Sequence, residues 1–167
     1  MRTLIDGATA GMIGALTVAG WFLMLDVDRG QPFATPALLG AVLFHGARDV
    51  IPAGPEFWLV AEYSLFHFAA FLAFGVMAAW LISAAEQEPG YRAGVLTLFI
   101  CFEVFFLALI GIVSAAVLET LVWWRIIMAN FLATATMFGF FSTRYPGLSH
   151  GFRAQLWRHE QVASVHE

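Results

Sequence analysis

Formal charge is nearly absent from four stretches of this chain, residues 4–25, 57–85, 93–118 and 121–142. At about 1.5 Å per residue each is long enough to cross the roughly 30 Å hydrocarbon layer of a bilayer. The pattern predicts four transmembrane helices. After Glu62 no formal charge appears until Glu86, and the third stretch is broken only by Glu103. Glu88-Pro89-Gly90 and Glu119-Thr120 mark short turns, so consecutive helices are expected to run antiparallel.

Residues 27–55 read differently. Gly30-Gln31-Pro32 and Ile51-Pro52-Ala53-Gly54-Pro55 are turn sequences, and between them Thr35 is placed to cap a helix with Pro36 at its first position. Residues 35–45 are too few to span and fit an interfacial or re-entrant helix. The fold expected is all-α: a four-helix transmembrane bundle over residues 1–143 with this short helix between the first and second spans. Residues 144–167 turn polar and read as a cytoplasmic tail with a weakly amphipathic segment near the headgroups.

Within the first span Gly7, Gly11 and Gly14 recur at intervals of four and three, with Ala10 beside them and Val18 closing the series. Such a stripe lets a neighbouring backbone approach closely. The span is too long for a secretory signal and ends in Trp21-Phe22-Leu23-Met24, so it is expected to remain in the membrane.

Composition agrees with this reading: 60% of residues are hydrophobic and 12% charged, half the usual charged share of about 25% in soluble domains. All eight basic residues are arginines, dispersed without a stripe, which removes nucleic acid as a partner. Arg2, Arg92, Arg144, Arg153 and Arg158 fall on one side of a four-span topology and Arg29, Arg48 and Arg125 on the other. That bias places both termini in the cytoplasm. Cys101 is the single cysteine, so no internal disulfide forms, and its apolar surroundings favour inert packing. No Gly-x-Ser-x-Gly elbow and no phosphate-cradling loop is present, and without lysine neither a Schiff base nor a phosphate-binding ammonium is available.

Ionisable groups inside a span are costly and therefore functional candidates. They define an intramembrane polar site of Glu62, Tyr63, His67, Glu103, Arg125 and Asn130. Glu62 and His67 diverge by about 140° around their helix, whereas Tyr63 and His67 share a face. Glu62 lies at the depth of Arg125 and is expected to pair with it. Asn130 and Thr134 are positioned to hydrogen-bond His67 or Tyr63, and Glu103 lies near the depth of His67. Asp26 and Glu119 belong to the headgroup layer, and Asp6 is ambiguous. Metal or haem b, with His45 and His67 as candidate ligands, is a minor alternative to no cofactor. The tail histidines His150, His159 and His166 are spaced too loosely for a metal motif.

Gly20-Trp21-Phe22-Leu23 with Asp26, the run from Gly30 to Gly40, and Tyr63-Ser64-Leu65-Phe66-His67-Phe68 resemble uncharacterised small four-helix bacterial integral membrane proteins. The resemblance covers about the first half of the chain and implies a fold, not an activity. The function expected is that of a non-enzymatic inner-membrane protein acting through helix association, as an accessory subunit or homo-oligomer. The alternatives are a small transporter or proton conductor using Glu62, His67 and Glu103, and a haem or metal redox protein.

Overall fold

The computed structural model describes residues 2–46, 56–87, 97, 100, 101, 104 and 123–145. Among them every regular element is helical: α1 (Arg2–Asp28), α2 (Ala34–His45), α3 (Phe57–Gln87) and α4 (Trp123–Arg144). α1, α3 and α4 are long and apolar enough to cross a membrane, and α2 is a shorter apolar helix. Of the third expected span only residues 97, 100, 101 and 104 are described, all helical; Glu103 and the tail beyond Tyr145 lie outside the described residues. Large apolar side chains point outwards along the long helices, including Leu65, Trp80 and Phe131. Such an outward-facing apolar surface suits lipid rather than water.

α1 is the element on which the others close. Gly7, Ala10, Gly11 and Gly14 are all buried. A methyl group added at Gly7 would lie 2.6 Å from the Val76 Cα, and one at Gly11 would collide with the Phe71 carbonyl. Gly75 of α3 returns the contact, since a side chain there would run into Gly7 and Gly11. The two backbones thus touch in an antiparallel crossing, Gly7 against Gly75 and Ala15 against His67. The stripe is consumed inside the chain. Its last glycine, Gly14, faces Phe71 and the Met137 sulfur of α4.

α4 also runs antiparallel to α1. At one end the Arg144 Nε donates to Asp6 Oδ1 at 3.0 Å, with the Tyr145 hydroxyl at 3.4 Å from Oδ2. Further along, Thr17 and Thr136 hydroxyls lie 3.3 Å apart, and the Trp21 indole N–H donates to the Arg125 carbonyl at 3.2 Å. Asp6 therefore acquires a definite role, tying the start of α1 to the end of α4. Between these helices Phe74, Ile82, Met137 and Phe141 fill the core around Ala10, Ala78 and Ala133.

The connection from α1 to α2 corrects two expectations. α1 does not stop at Leu25; it continues to Asp28 and ends with Gly30 at φ 70°, where the Gln31 and Gly30 amides donate to the Asp26 and Val27 carbonyls. This paired return of amides is a Schellman cap, and the left-handed turn it needs costs glycine nothing. Asp26 consequently lies enclosed by the fold at 1% exposure. α2 starts at Ala34, one residue earlier than expected, with Phe33 in the N-cap position and no cap from its own side chain. The cap is supplied from α1: Asp26 Oδ2 accepts the Thr35 amide and Oδ1 accepts the Thr35 hydroxyl, both at 2.7 Å. An acidic group at a helix start is favoured by both the free amides and the helix dipole. Phe33 is held at φ 67°, a left-handed conformation that is strained for a bulky residue.

α2 then lies along the first turns of α3. Gly40 meets the Leu59 carbonyl with no room for a side chain, Ala37 and Ala41 pack on Leu59, and Phe44 meets Phe66 edge-on. Gly46 ends α2 at φ 64°.

Candidate functional site

A cavity of about 370 Å3, partly open to the exterior, lies where α1, α2 and α3 meet. That size suits a small organic ligand. α1 contributes Leu16, Ala19, Gly20 and Leu23 to its wall, and the α2 end contributes Phe33 and Pro36. The opposite wall is one stretch of α3, Val60, Tyr63, Ser64, His67 and Phe68. The lining is overwhelmingly apolar, and its polar groups fall into two sets. Asp26 and Thr35 also line the cavity, but they satisfy each other. Tyr63, Ser64 and His67 form the second set.

His67 is 6% exposed and sits among three rings. Tyr63 stacks on it with ring centroids 5.8 Å apart, Phe71 lies at 4.8 Å, and Phe68 approaches edge-on at 5.7 Å. Its Nε2 is 3.1 Å from the Ala15 carbonyl. A carbonyl only accepts, so Nε2 carries the hydrogen, and in the neutral imidazole Nδ1 is left as an acceptor. Among the described residues neither Nδ1, the Tyr63 hydroxyl nor the Ser64 hydroxyl has a hydrogen-bond partner. One turn of α3 therefore offers two donors and one acceptor to an apolar cavity.

The remaining expected site residues separate from this centre. Tyr63 and His67 share a face as expected. Glu62 does not pair with Arg125; its Oε2 accepts from His45 Nε2 at 2.8 Å, joining the end of α2 to α3. The depth of Glu62 along α3 matched Arg125, but α2 crosses that face first and brings His45 to it. Both partners are substantially exposed, at 49% and 36% of their side chains. Arg125 lies over the Trp124 ring at 5.6 Å, and its Nε and Nη1 are buried without partners among the described residues. Asn130 is buried, and its Nδ2 is likewise unpartnered among the described residues, so it does not bond His67 or Tyr63. His67 is held instead by the α1 backbone.

Among the described residues no three His, Cys, Asp or Glu side chains converge on a metal position. The two histidines considered for haem have separate engagements, His45 with Glu62 and His67 with Ala15. Cys101 is helical and exposed, which removes it from core packing. The sequence singled out Thr35 as a helix cap and Asp26 as a headgroup residue but not their pairing, and Ser64 had no role assigned. The signal for the pairing was the spacing of an acidic residue and a Thr-Pro helix start across a Gly-containing turn.

No protein-family model, characterised protein or solved structure matches the chain.

Proposed function

We propose that this is a four-span bacterial inner-membrane protein that binds a small amphiphilic molecule in the cavity between α1, α2 and α3. The observation that carries the proposal is the set of three polar groups, on Tyr63, Ser64 and His67, that line one apolar cavity wall and have no hydrogen-bond partner among the described residues. Polar groups that face an apolar cavity gain when a ligand supplies hydrogen bonds there. α2, capped by Asp26 and clamped to α3, forms one side of the binding chamber.

Two further features support the membrane topology. The Asp6–Arg144 contact at 3.0 Å brings the start of α1 and the end of α4 to one side, as an even number of crossings requires. The excess of arginines on that same side favours the cytoplasm. Action through helix association was suggested by the glycine stripe, and that motive is weakened because Gly7, Gly11 and Gly14 are occupied by α3 and α4 of the same chain.

The test is to purify the protein from membranes in mild detergent beside its Gly20→Leu variant and to analyse organic extracts of both by mass spectrometry. Gly20 lines the cavity, and a Cβ added there meets nothing within 4 Å, so leucine adds bulk at the cavity wall from a position where its first carbon is accommodated. One species is expected near stoichiometric amount in the native extract and depleted in the variant. Indistinguishable extracts would refute the proposal.

A further inference from the structure

Resting on that binding reading, we infer that the ligand carries an uncharged hydroxyl head, an O–H that both donates and accepts, on an apolar body. Three features of the cavity select this chemistry. First, charge is unwelcome. The cavity lining contains no arginine, so an anionic head would be buried without a counter-ion, next to the Asp26 carboxylate. A cationic ammonium head can only donate, so it would leave the Tyr63 and Ser64 hydroxyl hydrogens without an acceptor.

Second, the wall asks for both halves of a hydrogen-bonding group. The Tyr63 and Ser64 hydroxyls can donate to a ligand oxygen, while His67 Nδ1, with Nε2–H committed to the Ala15 carbonyl, can only accept. An ether, ester or quinone carbonyl satisfies the donors and leaves Nδ1 facing carbon. A hydroxyl satisfies both. Sites built to hydrogen-bond a hydroxyl discriminate against analogues lacking it, because the buried group is then left unpaired.

Third, the head has a defined place. Tyr63, Ser64 and His67 occupy a single turn of α3, and Val60 and Phe68 on either side leave only apolar surface for the rest of the molecule. Two sources supply such a head, a long-chain aliphatic alcohol and the phenolic hydroxyl of a lipid-soluble quinol.

Titration calorimetry on the full chain in nanodiscs distinguishes them with two matched pairs: 1-hexadecanol against its methyl ether, and a short-chain prenyl quinol against its quinone. The hydroxyl-bearing member of at least one pair is expected to bind roughly tenfold tighter than its partner. The pair showing the difference identifies the source. Tyr63→Phe should weaken both members of that pair, whereas His67→Phe should bring the two affinities together. Should His67→Phe fail to fold, the native ratio and Tyr63→Phe still decide the matter. Equal affinity within both pairs, with binding abolished by Gly20→Leu, overturns the hydroxyl assignment and leaves the cavity reading intact. Binding of every probe unaffected by Gly20→Leu overturns the cavity reading and this inference together.

Discussion

The Asp26 carboxylate holds Thr35 twice, at its amide and at its hydroxyl, across the turn that carries the chain from α1 into α2. Both residues are buried, so neither bond competes with water. Asp26→Ala should destabilise the protein by about 3 kcal/mol, since it removes two charge-assisted bonds and strands the Thr35 donors. Asp26→Asn, which keeps one acceptor, should cost less. Thermal unfolding in mild detergent ranks the two variants, and equal losses would show that the neutral acceptor recovers nothing and the carboxylate charge carries the whole contact.

The backbone contact of α1 with α3 separates the glycines into two groups. Gly11→Ala and Gly75→Ala place a methyl group against a facing backbone and should each cost about 1–3 kcal/mol. Gly139→Ala meets nothing within 4 Å and should instead gain up to about 1 kcal/mol from helix propensity. The same melting experiment compares all three. A neutral Gly11→Ala would mean that the helices do not cross this closely.

A double-mutant cycle tests which cation Glu62 faces. Glu62→Gln combined with His45→Ala should show coupling no larger than about 0.5–1 kcal/mol, because both groups are well exposed. Glu62→Gln combined with Arg125→Met should be additive. Coupling confined to the Arg125 cycle would restore the pairing expected from depth alone.

Tyr63→Phe should leave the ligand-free protein as stable as before, or more stable by up to about 1 kcal/mol, because the hydroxyl it removes has no partner among the described residues. A residue kept for binding shows this exchange of stability for function. A marked loss of stability in delipidated protein would assign the hydroxyl to the fold.

The sequence made the helices legible because span length and apolar content are one-dimensional quantities. The stripe from Gly7 to Gly14 was legible for the same reason, as a face, but nothing in its spacing said that Gly75 would meet it. The Glu62 partner was misjudged because depth fixes only one of two coordinates; the face of α3 that Glu62 occupies is covered by α2, and His45 reaches it before Arg125. The enclosure of Asp26 by the fold was not legible because hydropathy ends α1 where polarity begins. The physical boundary is instead the Schellman turn at Gly30, five residues beyond Leu25, where the apolar stretch ends. The left-handed Phe33 had no sequence signal at all, since non-glycine residues adopt that conformation only when the surrounding structure imposes it.

α1 is synthesised before α3 and α4, yet its buried face is completed by Gly75 and Met137, which follow more than sixty and one hundred and twenty residues later. Its glycines therefore have no counterpart until α3 is made, and Asp6 has no Arg144 until α4 follows. For a helix long and apolar enough to span, entry into a bilayer and closure of the fold are then separable steps. The order of biogenesis is thus written into the central position of the first helix.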